Sequence, residues 1–501
     1  MNGPRRCRDA KRPKARYDAK RRNDGRSLNP GPRAMPILAT SNIERINEAS
    51  LRVLGETGVQ VDDDAVVALL GERGCSVVEG TRVVRLPREV VDAAIGACPR
   101  EVRLAALDGQ ETVLRAGGPS VFWTGNAINL AVDKHVEPID TGRFIDLVHV
   151  VDGLEHLDGM VSTCLADVPP PVRGLVGMRL IAENCLKHVR PCIYDPRETK
   201  GMIEMAQVLA DGRSPAEWPI FSLGYTAVSP LRWSGLALAA FRESSGHGVP
   251  MMVNAEPAGG VTAPVTLAGE LVVGNAEALS GVVICQALEP GRPLVFNMGF
   301  AHVMDMQTTV MRTGGVENGL LQAAGAEIAA FHGLPSASWM GTESLVADAA
   351  AAYENVVTGM LHVMSRANIV WGVGNLESTK AMSLEMAVIG NDIAGALRRA
   401  QQGIQVDDET LAVDLIQELG RKPDYLNHPH TLAHFKREYY YPRVTNRRPR
   451  GTWEALGSPT ILDEARDRIA KLRALPTRSI VSAAQRKELE MIEKKWRERL
   501  T

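Results

Sequence analysis

Short apolar runs recur along this chain about every 30 to 45 residues, and each is followed by a stretch whose apolar positions suit a helix. They occupy residues 120–123, 157–164, 188–194, 219–224, 249–254, 293–299, 335–341 and 368–374. A strand followed by a helix, eight times over, predicts an α/β fold of the (β/α)8 TIM-barrel class. Such barrels carry their chemistry in the loops after the strands, so the pattern already says where to look.

The flanks have a different rhythm. Ile43, Ile46, Leu51 and Leu54 are spaced for an amphipathic helix, a second begins at Ala65, and a third opens at Pro87. Val77 with Val78 and the alternation from Arg82 to Leu86 predict a short hairpin between them. Residues 36–115 therefore read as an N-terminal helical cap with a small hairpin, and 116–400 as the barrel. Residues 401–501, with amphipathic charged stretches at 461–475 and 483–500, read as a C-terminal helical appendage.

Segment 1–35 is crowded with Arg and Lys, holds Gly and Pro, and has no apolar core of the kind a secretory signal needs. It reads as a basic, unstructured leader. The rest of the composition is balanced, with a net charge of -2 and 5% aromatic residues, which suits a cytoplasmic globular protein with no nucleic-acid or membrane partner. Seven cysteines show no CxxC pair, as expected in a reducing compartment. No uninterrupted apolar run reaches the roughly 18 residues of a membrane helix.

The strand ends hold the candidate site. Trp123, Trp339 and Trp371 close strands one, seven and eight, which are neighbours once the barrel closes, and Tyr225 follows strand four. Asn254 and Glu256 follow strand five, Asn297 and His302 strand six, and Glu343 strand seven. Aromatic faces beside amides and carboxylates suit a quaternary ammonium, which a ring attracts through its quadrupole. The same Trp residues would equally fill the upper layer of a barrel.

Other chemistries are less well supported. His430 and His434 stand at helical i, i+4 spacing after His428, but Thr431 replaces the Glu of an HExxH motif, and no metal site is expected. The Gly259-Gly260 and Gly314-Gly315 turns could form anion nests, yet neither belongs to a phosphate-binding motif, and GxSxG is absent.

The run from Phe221 to Leu231, the runs 263–269 and 275–281, Asp305-Met306, Leu376-Glu377, 403–412 and 430–435 resemble the trimethylamine methyltransferase family. The resemblance spans about residues 42 to 471. It implies a TIM barrel that moves a methyl group from a methylated amine to the cobalt of a cognate corrinoid protein. The chain would hold no tight cofactor of its own and would work as a homo-oligomer.

Trimethylamine enzymes of the family carry pyrrolysine in the barrel, in the region of residues 341–345 here, where this chain has ordinary residues. The resemblance therefore points to the branch that demethylates glycine betaine and related quaternary amines. On this reading Trp123, Tyr225, Asn254, Glu256, Trp339 and Trp371 bind substrate. Glu343, His302 and Asn297 carry the catalytic roles, with His302 facing a substrate carboxylate. A zinc-assisted lyase or hydrolase and a non-catalytic betaine-binding barrel are the rival expectations.

Overall fold

The computed structural model describes residues 36–422 and 424–501, so the basic segment read as a leader, with Cys7, lies outside the described residues. Eight parallel strands form the central sheet: β1 Val121–Thr124, β2 Gly159–Val161, β3 His188–Arg190, β4 Leu223–Thr226, β5 Met251–Asn254, β6 Leu294–Asn297, β7 Ser336–Trp339 and β8 Ile369–Val373. Their order is β3-β2-β1-β8-β7-β6-β5-β4, and a parallel bridge between Val189 and Phe221 joins the two ends into a barrel. Six of the eight strands fall within the predicted runs; β1 runs one residue and β4 two residues past the end of theirs.

Proline begins several of these runs because a strand's first residue can accept from its neighbour without donating. Met251 donates to Pro293 O and Phe296 to Pro335 O, each at 2.9 Å. One helix follows each strand: α1 Thr141–Asp152, α2 Arg173–Asn184, α3 Glu198–Leu209, α4 Gly235–Glu243, α5 Leu267–Leu288, α6 Val316–Phe331, α7 Ala349–Met364 and α8 Leu384–Gln402. Side chains of Asp140, Ser234, Asp348 and Ser383 accept from first-turn amides and so cap α1, α4, α7 and α8. Among the described residues, α5 is the one helix long and apolar enough to cross a membrane. It is apolar all round because it is buried against the barrel, with 83% of its apolar window inside the protein.

The three cap helices lie at Thr40–Arg52, Asp64–Glu72 and Arg88–Ala97, and the predicted hairpin pairs Ser76–Val77 with Val83–Arg85. Beyond them the structure departs from the sequence reading. Glu101–Ala105 and Glu111–Arg115 form an antiparallel hairpin that belongs to the barrel interior, not to the cap. Its Val102, Leu104 and Leu114 pack with Trp123, Val161, Met252, Val295, Ala337 and Ile369, so the hairpin plugs the barrel from the N-terminal ends of its strands. His188 fixes the plug: Nδ1 meets Ala105 O and Nε2 meets Ser222 Oγ, both at 2.9 Å.

The C-terminal helices are a strap around the barrel, not a separate appendage. Helix α9, Ile461–Arg473, sets Leu472 against Gly153 at the end of α1 and pairs Arg473 with Asp146 at 2.6 Å. Helix α10, Ala483–Leu500, lays Trp496 over Gly201 of α3, where a Cβ would come within 2.8 Å of the indole. Arg179 of α2 meets Glu493 at 2.6 Å in largely buried surroundings.

The plug makes a direct prediction for stability. Leu104→Ala removes a fully enclosed side chain from a site that neighbouring strands cannot collapse to fill, so urea unfolding should show a loss of about 2 to 5 kcal/mol. A loss below about 1 kcal/mol would mean that the hairpin is dispensable to the core.

Candidate functional site

The C-terminal ends of the strands open into a rim built from paired loops. Loops after β5 and β6 form a small sheet from Ala258–Gly259, His302–Met304 and Met311–Arg312. Those after β1 and β8 form another from Asn129–Val132, His135–Pro138, Asn375–Leu376 and Ala381–Met382. Buried carboxyls pin these loops to the helices. Glu277 of α5 accepts from Ser229 Oγ at 2.8 Å and Leu231 N at 2.9 Å, holding the β4 loop. Glu270, also of α5, lies against Gly259, where a Cβ would sit 2.4 Å from its carboxyl oxygen.

Inside the rim is an aromatic cluster. The rings of Trp339 and Trp371 lie 4.3 Å apart at 70°, and Phe300 stands edge-on to Trp371 at 4.9 Å and 5.5 Å from Trp339. His302 is 6.4 Å from Phe300. The cluster needs small neighbours: a Cβ at Gly341 would come within 2.8 Å of the Trp339 ring, and one at Gly372 within 3.1 Å. Phe300 escaped the sequence reading, although an aromatic residue directly after the Met298-Gly299 end of strand six was a usable signal.

The other two aromatic candidates make no ring contact with these three, although Trp123 shares their buried barrel-interior cluster. Trp123 is buried lower in the barrel, tilted against His188 at 5.3 Å and lining a small void with Leu104 of the plug. Tyr225 faces the helix layer, because Gly224 beside it is the inward residue and alternation sends Tyr225 outward. Its burial pushes the phenol up to about 12.

The amides form a ladder across three strand ends. Gly299 N donates to Asn297 Oδ1 at 2.7 Å, Asn297 Nδ2 to Asn254 Oδ1 at 2.8 Å, and Asn254 Nδ2 to Thr226 Oγ1 at 3.2 Å. Glu343 Oε1 accepts from the amides of Thr313 and Gly314, the latter at 2.7 Å, and so fixes the turn that leads into α6. Glu256 keeps contact with solvent, while surrounding protein and then Glu277 raise its carboxyl. His302 differs from expectation in charge: burial pushes its imidazole down to about 4, so it is neutral near pH 7 and offers no cation to a carboxylate. The positive charge inside the barrel belongs instead to Arg190 at the end of β3, a buried cation two residues after the buried His188.

Among the described residues, no three His, Cys, Asp or Glu side chains gather as a metal site. The rings of His430 and His434 lie 4.2 Å apart, with His434 Nε2 on Glu409 at 3.3 Å and Nδ1 on Arg437 at 2.9 Å. A groove of about 1140 Å³ lies at the opposite end of the barrel, between the plug's Asp108, the end of α3 and α10. Three of its charged groups are engaged within the fold: Glu204 with Lys495, Asp211 with Gln485, and Arg213 over Trp218. The upper barrel is thus the candidate site.

Comparison with known proteins bears on that site. Residues 3–499 match the family described as trimethylamine methyltransferase (MTTB). The chain is 28% identical to a trimethylamine methyltransferase of Desulfitobacterium hafniense over 428 residues, covering 84% of this chain and 86% of that one. It is also 28% identical to a glycine betaine methyltransferase of the same species over 425 residues, covering 83% and 88%. Among solved structures, the monomethylamine methyltransferase of Methanosarcina barkeri aligns with a TM-score of 0.52 at 13% identity, covering 87% of this chain and 89% of that one. This last likeness is one of fold.

The pinned rim should leave a mark on pH dependence. Burial pushes Glu270 up to about 8 and Glu277 to about 7, so each favours the fold in its neutral form. Stability from such a group is complete below the ordinary carboxyl range and is lost as pH rises through the raised value. Buried histidines such as His302 act in the opposite sense, but their contribution is complete by about pH 6.5. Melting temperature should therefore fall between about pH 7 and 8.5, and Glu270→Gln should remove roughly 1 to 2 kcal/mol of that slope. An unchanged profile in the variant would place Glu270 outside this linkage.

Proposed function

The chain belongs to the trimethylamine methyltransferase family, and from that membership we propose that it demethylates a quaternary amine of the glycine betaine kind and passes the methyl group to a corrinoid protein. The observation that carries this reading is the cluster of Phe300, Trp339 and Trp371 at the C-terminal end of the barrel. A quaternary ammonium has no N–H to satisfy, so it suits a site of ring faces whose nearby amides are already bonded to one another. The glycine betaine methyltransferase relative supports the substrate class, as does the ordinary sequence at residues 341–345.

Reduced corrinoid on the partner supplies the nucleophile. When the methyl group leaves, the electron pair of the C–N bond stays on nitrogen and a neutral tertiary amine departs, so no proton need be removed. The work left to this chain is orientation and the exclusion of water. In the proposal the rings hold the ammonium. The Asn297–Asn254 ladder fixes the floor, Glu343 holds the β6 loop, and His302 supports Phe300 as a neutral ring. Glu256, open to solvent two residues beyond β5, is placed at the approach to the site.

Exposed Val261, Val265, Met306 and Leu345 on the loops after β5, β6 and β7 give the partner an apolar rim to meet. The helices Asp408–Leu411, Val413–Leu419, Pro429–Glu438 and Arg450–Ala455 bury no residue of their own and provide the surface for a homo-oligomer. The proposed setting is the cytoplasm.

Mixing the protein with glycine betaine and cob(I)alamin, and following the corrinoid absorbance, tests the activity. Methyl transfer with release of the dimethylated amine is expected. Betaine binding without transfer, to either free or protein-bound corrinoid, would leave only a binding protein. Trp371→Leu or Phe300→Leu should weaken betaine binding by about 0.5 to 2 kcal/mol in calorimetry. Trp123→Leu should lower the melting temperature and change affinity less; the reverse ranking would move the ammonium site down to Trp123.

A further inference from the structure

Arg190 is one of two arginines buried in the barrel domain's interior, and the other shows what a structural one looks like. Arg292, 1% exposed, donates to Val249 O, Phe241 O, Ser244 Oγ and Ser245 Oγ and stands 3.6 Å from Glu289. Arg190 is 7% exposed, yet its guanidinium reaches only Pro191 O at 2.7 Å and Gly224 O at 3.2 Å. Its Nε has no partner, and among the described residues no carboxylate pairs with it. A guanidinium carries five N–H donors, so most of its capacity is unspent in a place where burying an unpaired charge costs several kcal/mol.

The side chain is aimed into the barrel. Val189 packs in the helix-facing core, while His188, two residues before Arg190, faces inward to Trp123, and Cys192 just beyond the strand packs against the barrel-interior cluster. Strand alternation puts Arg190 on that same face. Room is made for it by Gly224, where a Cβ would lie 2.6 Å from the guanidinium. Met252, opposite Gly224 on β5, also contacts Asn297 Nδ2 at 3.2 Å, which links Arg190's surroundings to the amide ladder.

Two further donors inside the barrel are unspent. The indole N–H groups of Trp339 and Trp371 are buried without partners, whereas the amide oxygens of Asn254 and Asn297 are taken by neighbours. Ring faces call for a cation and unspent donors call for an anion. One ligand supplies both if it is a zwitterion, and it then adds no net charge to the barrel.

We propose that Arg190 is the anion anchor of the pocket, binding the carboxylate of the same ligand whose trimethylammonium group rests on Phe300, Trp339 and Trp371. This rests on the function proposed above and narrows the substrate to amino-acid betaines. Arg190 also rejects amines without a carboxylate, because they would bring a second cation into a dry interior that already holds one.

Three probes and one variant separate the possibilities: glycine betaine, tetramethylammonium, and tert-butylacetate, which keeps the carboxylate but replaces the ammonium with a neutral group of the same shape. Calorimetry on the whole chain should give betaine at least tenfold tighter than tetramethylammonium, with tert-butylacetate competing for the same site. Arg190→Met should weaken betaine at least tenfold, abolish tert-butylacetate binding and leave tetramethylammonium as tight or tighter. Equal affinity of the wild-type protein for betaine and tetramethylammonium would overturn the anchor and leave the methyltransferase reading intact. The same holds if Arg190→Met keeps the parent's affinity for betaine. Failure of all three probes to bind would overturn the quaternary-amine reading itself. If the variant does not fold, the wild-type ratio decides alone.

Discussion

Eight strands of three to five residues enclose more volume than their own inward side chains fill, and a barrel with an empty interior would lose the contacts that hold it closed. Here the deficit is met from below. Val102, Leu104 and Leu114 of the 101–115 hairpin enter the N-terminal end, and Trp123 with His188 completes the layer above them. Because the lower half is filled by a separate piece of chain, the inward positions of the upper half are released from packing duty. They can be small, like Gly224, or aromatic, like Trp339 and Trp371, or charged, like Arg190.

That arrangement sets the electrostatics. Burial raises the carboxyls of Glu270 and Glu277 and keeps His188, His302 and His362 uncharged. The amide ladder pairs its members with one another. What remains inside the barrel is the guanidinium of Arg190, without a carboxylate partner, beside a set of ring faces, in a medium where each such interaction is much stronger than in water. A methyl transfer from nitrogen suits such a place: it asks for a held cation, an exit for a neutral amine and no base.

The barrel was legible in the sequence because most strands lie in apolar runs with their own boundaries, often a leading proline, and four of the helices carry a capping Asp or Ser just before their start. The plug was not. Residues 101–105 and 111–115 alternate like any surface hairpin, and nothing local says that the solvent-free face is the inside of a barrel whose strands extend from Val121 to Val373. Facing was the other loss. Tyr225 and Gly224 are adjacent, and only the register of β4 against β5 decides that the glycine points in and the tyrosine out. Trp123 was found at a strand end, but its height in the barrel depends on β1 pairing with β2 through Gly159, where a side chain would strike the indole. Arg190 lay in plain view within the third run, and a charge within a strand run was the signal to weigh.

The rim ties these features to a partner. In the proposed reaction, a group that accepts a methyl from deep in the barrel would approach along the barrel axis, and the loops it meets must not collapse into the mouth between visits. The buried carboxyls provide that restraint: Glu277 holds the β4 loop, Glu343 the turn after β6, and Glu270 packs beneath the β5–β6 sheet. Restraint of this kind fixes the loops' backbone while leaving their tips apolar, as at Val265 and Met306, which both approach Gly260 from opposite loops. A stiff frame with an apolar edge keeps the ordering cost of docking low, and in the proposed reaction it would let two proteins close over a ligand held by the aromatic cluster and Arg190.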